Sequence, residues 1–575
     1  MDNSLIPPVN GLRLTGAAAI LRVLAAAGIT EVFGLASGKL SPLFRAMAEA
    51  PGIRFTGVRH EAAAGFMAAS HYAATGRMAL CLGETGPGGM NLFTGLGGAH
   101  ANNQAVLAIT SSNPMPIMAP IRGAFSSTDN ERLFGCLTKW NATVRDGARV
   151  PELLHRAMCA AQEGRPGPVH LDIPTEVLSR EWDYDPAELD APRRHYRPFA
   201  PGEPAAAAIA AAAGLLASAR RPLLIGGGGA VHAGGAPLLR KLAEIIGAPA
   251  ITTQMGLGVI ASDAPYFIGQ GGFVGGSAVV RALREADVVL AVGCRFSSFM
   301  WTEGPPRWND HPARQLIQID IDPQQMGRNM PVTLGLVGDA HATLAKLLSA
   351  LAGQPLAIDA DWTAGLVAER ARYRDELARQ IDAPAAVMHP GALARGVAGF
   401  IGAEDFVTFD GGHTSFWSNE FTPALHPATR FHEPGMAHLG FGLPAAVALA
   451  RCFPDRRSFC LTGDGAFGFT VQELDTARRY GARVITVVHN NAAWGVIRAA
   501  QSKSGFEMGT DLGGTDYAAI ARGFGCHGER LETPEQLGPA MRRALLAETP
   551  AVIDARVAFV PHPMMRFFGA STQIR

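Results

Sequence analysis

Apolar runs rich in Val, Ile and Leu alternate with Ala-rich segments of helical spacing along most of the chain. That rhythm predicts buried parallel strands joined by crossover helices. MALCLG (78–83), AVLAITSS (105–112) and PVHLDIP (168–174) read as strands of a first unit. A polar, Pro-containing stretch, REWDYDPAELDAPRRHYRPFAPGEP (180–204), then breaks the pattern and reads as a linker. PLLIGGGGA (222–230), DVVLAVGC (287–294) and LIQIDID (316–322) form a second unit, and a further change near LAGQPLAIDADW (351–362) leads into a helical connection. DFVTFDGG, SFCLTGDG, RVITVVHNN and AVIDARV are the strands of a third unit, whose strand–helix rhythm is similar to that of the first. The expected fold is α/β, with three doubly wound parallel-sheet domains over 10–182, 200–352 and 385–560.

Composition narrows the function classes. The chain has 575 residues, with 50 Lys and Arg against 50 Asp and Glu, so its formal net charge is zero. Neither a nucleic-acid footprint nor a polybasic membrane patch is expected. No apolar stretch is long enough to cross a bilayer, and Arg13 and Arg22 inside the first Ala-rich segment argue for a helix over a signal peptide. The seven cysteines are odd in number and never in CxxC spacing, which reads as reduced thiols and a cytoplasmic setting.

Candidate chemistry begins at LTGDGAFGFTVQELDTARRYGARVITVVHNN (461–491), where an acid stands between two glycines at the end of an apolar run. Gly463-Asp464-Gly465 is expected as the strand's C-terminal turn, at the sheet edge where open α/β folds bind ligands. Glycine there lets backbone approach an anion, and a following helix N-terminus favours negative charge. Asp464 is a hard oxygen ligand, and Asn491, ending the next strand, supplies a side-chain carbonyl. Two protein oxygens, completed by phosphate oxygens and water, suit octahedral magnesium. A lone GDG is as well explained by a turn. GDG, a helix carrying QEL, and a strand ending in NN make a far more specific pattern.

This segment closely resembles the diphosphate-binding signature of thiamine-diphosphate enzymes of the acetolactate synthase and pyruvate decarboxylase type. The resemblance implies a thiamine diphosphate cofactor with Mg2+ held by Asp464, Asn491 and the backbone carbonyl of Ala493. It places Gly463, Gly465, Ala466, the FDGGHTSFW residues Gly412, His413 and Thr414, and Trp494, Gly495 and Val496 around the cofactor. VRHEAAAGFMAASHYAATGRMALCLGETGPGGMNLFTGLGGAHANN (58–103) resembles the family's pyrimidine-binding domain, with Glu61 at the position that bonds N1′ of the aminopyrimidine. HEPGMAHLGFGLPAAVALA (432–450) puts Leu439 at the wedge that bends the cofactor. In that family Glu61 and the GDG come from different subunits, which implies a homodimer or homotetramer with the active site across subunits. The substrate implied is a 2-oxo acid or a related acyl donor, and the reaction C–C bond cleavage or carboligation.

The pocket departs from acetolactate synthases. GLASGKLSP (34–42) has Ala36 and Ser37 in place of Pro-Gly, ETGPG places Glu84 near the reactive end, and Phe125-Ser126 lacks the usual glutamine. Thr138-Lys139-Trp140-Asn141 is retained, and the double histidine of pyruvate decarboxylases is absent near 111–125. Glu84 has three readings: an acid–base group with a raised pKa, a contact for a cationic or polyhydroxylated substrate, or a structural acid paired with Lys139 or Arg122. Among His60, His100, His413 and His438, only His413 is expected beside the cofactor. The glycine run 226–229 does not complete a dinucleotide fingerprint. FAD, which acetolactate synthases bind in the middle domain without redox use, is therefore the less favoured expectation, and a nicotinamide dehydrogenase less favoured still. Simple 2-oxo acid decarboxylation or C–C hydrolysis is the alternative within the family; a non-catalytic binding or regulatory protein is the alternative outside it.

Overall fold

The computed structural model describes residues 11–118, 123–192, 202–272, 275–297, 300 and 313–563. After β1 (Leu12–Thr15), six strands form the first sheet: β2 (Glu31–Gly34), β3 (Arg54–Gly57), β4 (Leu80–Glu84), β5 (Leu107–Ser112), β6 (Trp140–Thr143) and β7 (Val169–Pro174). All pair in parallel, in the order β3-β2-β4-β5-β7-β6. β8 (Glu181–Tyr184) pairs antiparallel with β1.

The stretch expected as a linker from 180 is thus ordered at its start, and its aromatic residues explain why. Trp182 donates Nε1–H to the Val177 carbonyl, and Tyr184 donates its hydroxyl to the Gly147 carbonyl at 2.9 Å. A Cβ on Gly147 would lie 2.0 Å from the Trp182 ring, so glycine is what admits the indole.

The middle sheet contains β9 (Pro222–Gly226), β10 (Ala250–Thr252), β11 (Phe267–Gln270), β12 (Val288–Val292), β13 (Gln315–Asp320) and β14 (Leu334–Val337), ordered β11-β10-β9-β12-β13-β14. Its strands bury both faces. Val288, Leu290 and Val292 enter one core, and Val289 and Ala291 the other. Alternation along a strand sends successive side chains to opposite faces, so helices must cover both. The third sheet holds β15 (Phe406–Phe409), β16 (Arg430–His432), β17 (Ser458–Gly463), β18 (Val484–Asn490), β19 (His527–Leu531) and β20 (Ala551–Arg556), ordered β16-β15-β17-β18-β20-β19.

With strands numbered by sequence within each sheet, the first and third share the order 2-1-3-4-6-5, while the middle one is 3-2-1-4-5-6. The two outer sheets therefore change winding direction at β2/β4 and β15/β17, where ligands gather in such folds. In the middle sheet the corresponding point is closed by glycine packing: a Cβ on Gly227 would lie 2.2 Å from the Gly293 carbonyl oxygen. The glycine run lets two strand-end loops touch there.

The chain forms two compact units, one of residues 1–199, 435–452 and 475–480, the other of 200–434, 453–474 and 481–575. In the first, helix Gly442–Cys452 lies against helix Glu61–Thr75, both almost wholly buried. Helix Glu61–Thr75 also packs on helix Pro87–Ala101 through Ala62, Gly65 and Gly95; a Cβ on Gly95 would lie 2.2 Å from the Ala62 carbonyl oxygen. Among the described residues no helix is long and apolar enough to cross a membrane.

Candidate functional site

At the C-terminal edge of the third sheet, β15, β17 and β18 are neighbours, and each runs into a helix: His413–Phe421, Asp464–Thr470 and Gly495–Lys503. Gly463 ends its strand and caps the next helix directly. Asp464 is the first helical residue, so the expected free turn at GDG is replaced by an immediate strand-to-helix passage. Tyr517 holds this passage by donating its hydroxyl to the Asp464 carbonyl at 2.7 Å.

The Asp464 carboxylate is buried, 4 % exposed. Oδ1 accepts the Gly465 amide at 2.9 Å, while Oδ2 has no hydrogen-bond partner. Burial pushes its pKa up to about 6, against the lowering influence of the nearby Gly465, Ala492 and Ala493 amides. A buried carboxylate oxygen without a donor is a place a cation would relieve.

Asn491 is half-buried, and its Oδ1 accepts the Ala493 amide at 3.1 Å. Ala493 faces Asp511 in an antiparallel bridge bonded through Trp494 N–H to the Thr510 carbonyl and Leu512 N–H to the Ala492 carbonyl. In such a pair the middle residue's own N–H and C=O turn away from the partner strand. The Ala493 carbonyl therefore turns away from Asp511, to the side on which its amide meets Asn491. The first of the twin asparagines serves the scaffold instead. Asn490 Nδ2 donates to Asp554 at 2.9 Å and to the Thr515 carbonyl at 2.8 Å.

Glycines bring the three loops into contact. A Cβ on Gly412 would overlap Val496 Cγ2 at 2.1 Å, one on Gly465 the Trp494 ring at 2.4 Å, and one on Gly495 His413 Nδ1 at 2.7 Å. Gly463 lies beside Thr414, and Gly411 beside Ala466. His413 is buried with both ring nitrogens unpartnered, and burial pushes its pKa down to about 4, so it is neutral. The expected residues of the diphosphate end are thus neighbours. Among the described residues no three His, Cys, Asp or Glu side chains cluster as a metal site; the expected set contains a single carboxylate.

In the first unit, β3 leads to Glu61, first residue of its helix and 7 % exposed. The side chain of His60 accepts the Ala62 amide, a structural cap. Asn91 Nδ2 donates to Glu61 Oε2 at 2.9 Å, and a Cβ on Gly88 would lie 3.2 Å from Glu61 Oε1. Sequence reasoning does not single out Asn91; its one signal is an amide in a helix otherwise of small and apolar residues. His438 packs edge-on against Phe66, leaving Leu439 half-exposed, and His100 is exposed.

Of the three readings of Glu84, the structure presents an ion pair, with a different partner. Lys39 Nζ lies 3.3 Å from Glu84 Oε1, whereas Lys139 Nζ donates to the Glu163 carbonyl; Arg122 lies outside the described residues. Burial would raise the Glu84 pKa, but the neighbouring Ser37 hydroxyl, the hydrogen bonds from Lys39 and the Lys39 charge together hold it below its ordinary value. A raised-pKa acid is therefore replaced by an ionised, paired one. Sequence reasoning misses Lys39 because its partner stands on another strand.

Comparison with known proteins gives matches along most of the chain. Residues 14–133 match the family described as thiamine pyrophosphate enzyme, N-terminal TPP binding domain, residues 209–347 its central domain, and residues 410–555 its C-terminal TPP binding domain. A probable acetolactate synthase large subunit of Methanocaldococcus jannaschii is 30% identical over 558 residues, 94% of this chain and 91% of that protein. The acetolactate synthase isozyme 2 large subunit of Escherichia coli is 30% identical over 550 residues, 95% and 96% of the two chains. The acetolactate synthase large subunit of Corynebacterium glutamicum is 30% identical over 553 residues, 94% of this chain and 86% of that one.

Proposed function

Because the chain belongs to the family of thiamine pyrophosphate enzymes, we propose that it is a magnesium-dependent, acetolactate-synthase-like carboligase acting on a 2-oxo acid. The observation that carries this reading is the buried, unpartnered Oδ2 of Asp464 beside Asn491 and the Ala493 backbone. These three oxygens suit a hard divalent cation that keeps further positions for phosphate and water. Gly412, Gly463 and Gly465 let the three strand-end loops close on one another, and with Ala466, His413, Thr414, Trp494, Gly495 and Val496 they would line the diphosphate end of the site. When bound, thiamine diphosphate supplies the electron sink for breaking and forming a bond at a carbonyl carbon.

Glu61 would hold a proton for the N1′ ring nitrogen of a bound aminopyrimidine, and Asn91 orients its carboxylate. Leu439 would support the middle of the cofactor, and the two halves of the site would come from two copies of the chain. In the absence of ligand, burial pushes the His413 pKa down to about 4.

Glu61→Gln is expected to keep the fold and lower turnover of pyruvate about 10²–10⁴-fold. Asp464→Ala is expected to weaken thiamine diphosphate binding sharply in calorimetry with magnesium present. Near-normal activity in both variants would contradict the assignment. Carbon dioxide release without a coupled product, across a panel of 2-oxo acids, would move the reading to simple decarboxylation.

A further inference from the structure

The Lys39–Glu84 pair stands at the winding switch of the first sheet, where β2 and β4 are neighbours. Lys39 is in the loop after β2, and Glu84 is the last residue of β4. Gly88 separates Glu84 from Glu61: its Cβ position is 3.5 Å from Glu84 Cβ and 3.2 Å from Glu61 Oε1. The pair therefore adjoins the carboxylate expected to face the cofactor's pyrimidine.

The contact is loose. Both Lys39 Nζ and the Lys39 backbone amide reach the Glu84 carboxylate at 3.3 Å. Charge-assisted N–H···O bonds ordinarily close to about 2.7–2.9 Å. Nζ also lies 3.5 Å from the Phe125 carbonyl and 5.7 Å from the Phe125 ring, and its third N–H has no partner among the described residues. The two side chains are 17% and 21% exposed, so the ammonium is partly desolvated yet reachable.

A cation placed here must suit the chemistry. In the donor, the bond between the carbonyl carbon and its carboxylate breaks, the electron pair stays on the carbonyl carbon, and carbon dioxide leaves. A cation gripping that carboxylate would stabilise the charge that must disperse and would slow the step. In the acceptor, the carbonyl carbon receives the new bond and its oxygen takes a proton, while the carboxylate survives into the product. Only the second carboxylate gains from a fixed ammonium.

We propose that Lys39, positioned by Glu84, binds the carboxylate that survives the reaction, and so selects a 2-oxo acid over an uncharged carbonyl compound as acceptor. This rests on the carboligase reading above. Glu84 acts as a positioning residue: it holds the ammonium at the sheet edge through two contacts and leaves a donor for the ligand.

The test offers the holoenzyme pyruvate as donor, with pyruvate and acetaldehyde competing as acceptors, and measures acetolactate against acetoin. Lys39→Ala is expected to lower the acetolactate-to-acetoin ratio about tenfold or more, and Lys39→Arg to recover most of it, as for one charge-assisted contact. An unchanged ratio in Lys39→Ala, or equal loss of both products, overturns the proposal. If the unaltered enzyme couples nothing, the carboligase reading has failed. In that case no carboxylate survives the reaction, and the assignment of Lys39 is overturned with it.

Discussion

In the proposed role as a metal ligand, Asp464 meets two demands that conflict until a cation is present. Its carboxylate must be ionised to bind metal, yet burial pushes its pKa from 3.8 to about 6. A folded-state pKa above the unfolded one contributes stability that is full below about 3.8 and is lost as pH rises through about 6. The metal-free protein is therefore expected to lose stability across that window, and Asp464→Asn, which retains an acceptor for the Gly465 amide, to remove the loss. Thermal unfolding of both proteins from pH 4 to pH 7 checks this; parallel curves would contradict it. The same proton competes with the metal, so magnesium-dependent cofactor affinity should fall about tenfold per pH unit below about 6. Calorimetry in two buffers of different ionisation enthalpy reads the released proton directly.

At the scale of elements, close contact between helices fixes Glu61. Helices Glu61–Thr75 and Pro87–Ala101 meet where Gly65 and Gly95 face each other and the Ala62 backbone. Backbone cannot move aside as a flexible side chain can, so Gly95→Ala should cost about 1–3 kcal/mol. It should also displace Asn91, one turn earlier on the same helix, from Glu61. The expected outcome is faster amide hydrogen exchange over 61–101 together with lower turnover; unchanged exchange would show that the helices tolerate the methyl. Gly88 and Asn91 thus explain why an apparently bland small-residue helix follows β4.

At the scale of the whole molecule, the expected site needs two chains. Glu61→Gln and Asp464→Ala each disable a different half, so mixed dimers should contain one intact site. Random re-association should restore about a quarter of the activity, half of the dimers being mixed with one of two sites complete. Mixtures as inactive as their parents would place the whole site within one chain. Two segments of the third sheet's sequence, 435–452 and 475–480, pack in the first unit, where the Tyr480 hydroxyl accepts the Gly57 amide at 2.8 Å. Chain order alone does not delimit the packed units.

Strand positions such as PVHLDIP and RVITVVHNN are legible because a parallel strand buried on both faces must be apolar throughout, a local property of the chain. The residues expected to face the cofactor stand out for a related reason: strand ends carry glycines and a hard oxygen donor at fixed offsets. REWDYDP looks like a linker because its aromatic anchors act through Gly147 and Val177, outside the stretch itself. The partner of Glu84, the empty valence of Asp464 Oδ2 and the support of Glu61 by Asn91 depend on which strands and helices become neighbours. Local chemistry determined what each strand end could bind. Non-local pairing decided which charges meet, because Coulomb and hydrogen-bond partners are chosen by distance in space and leave no period along the chain.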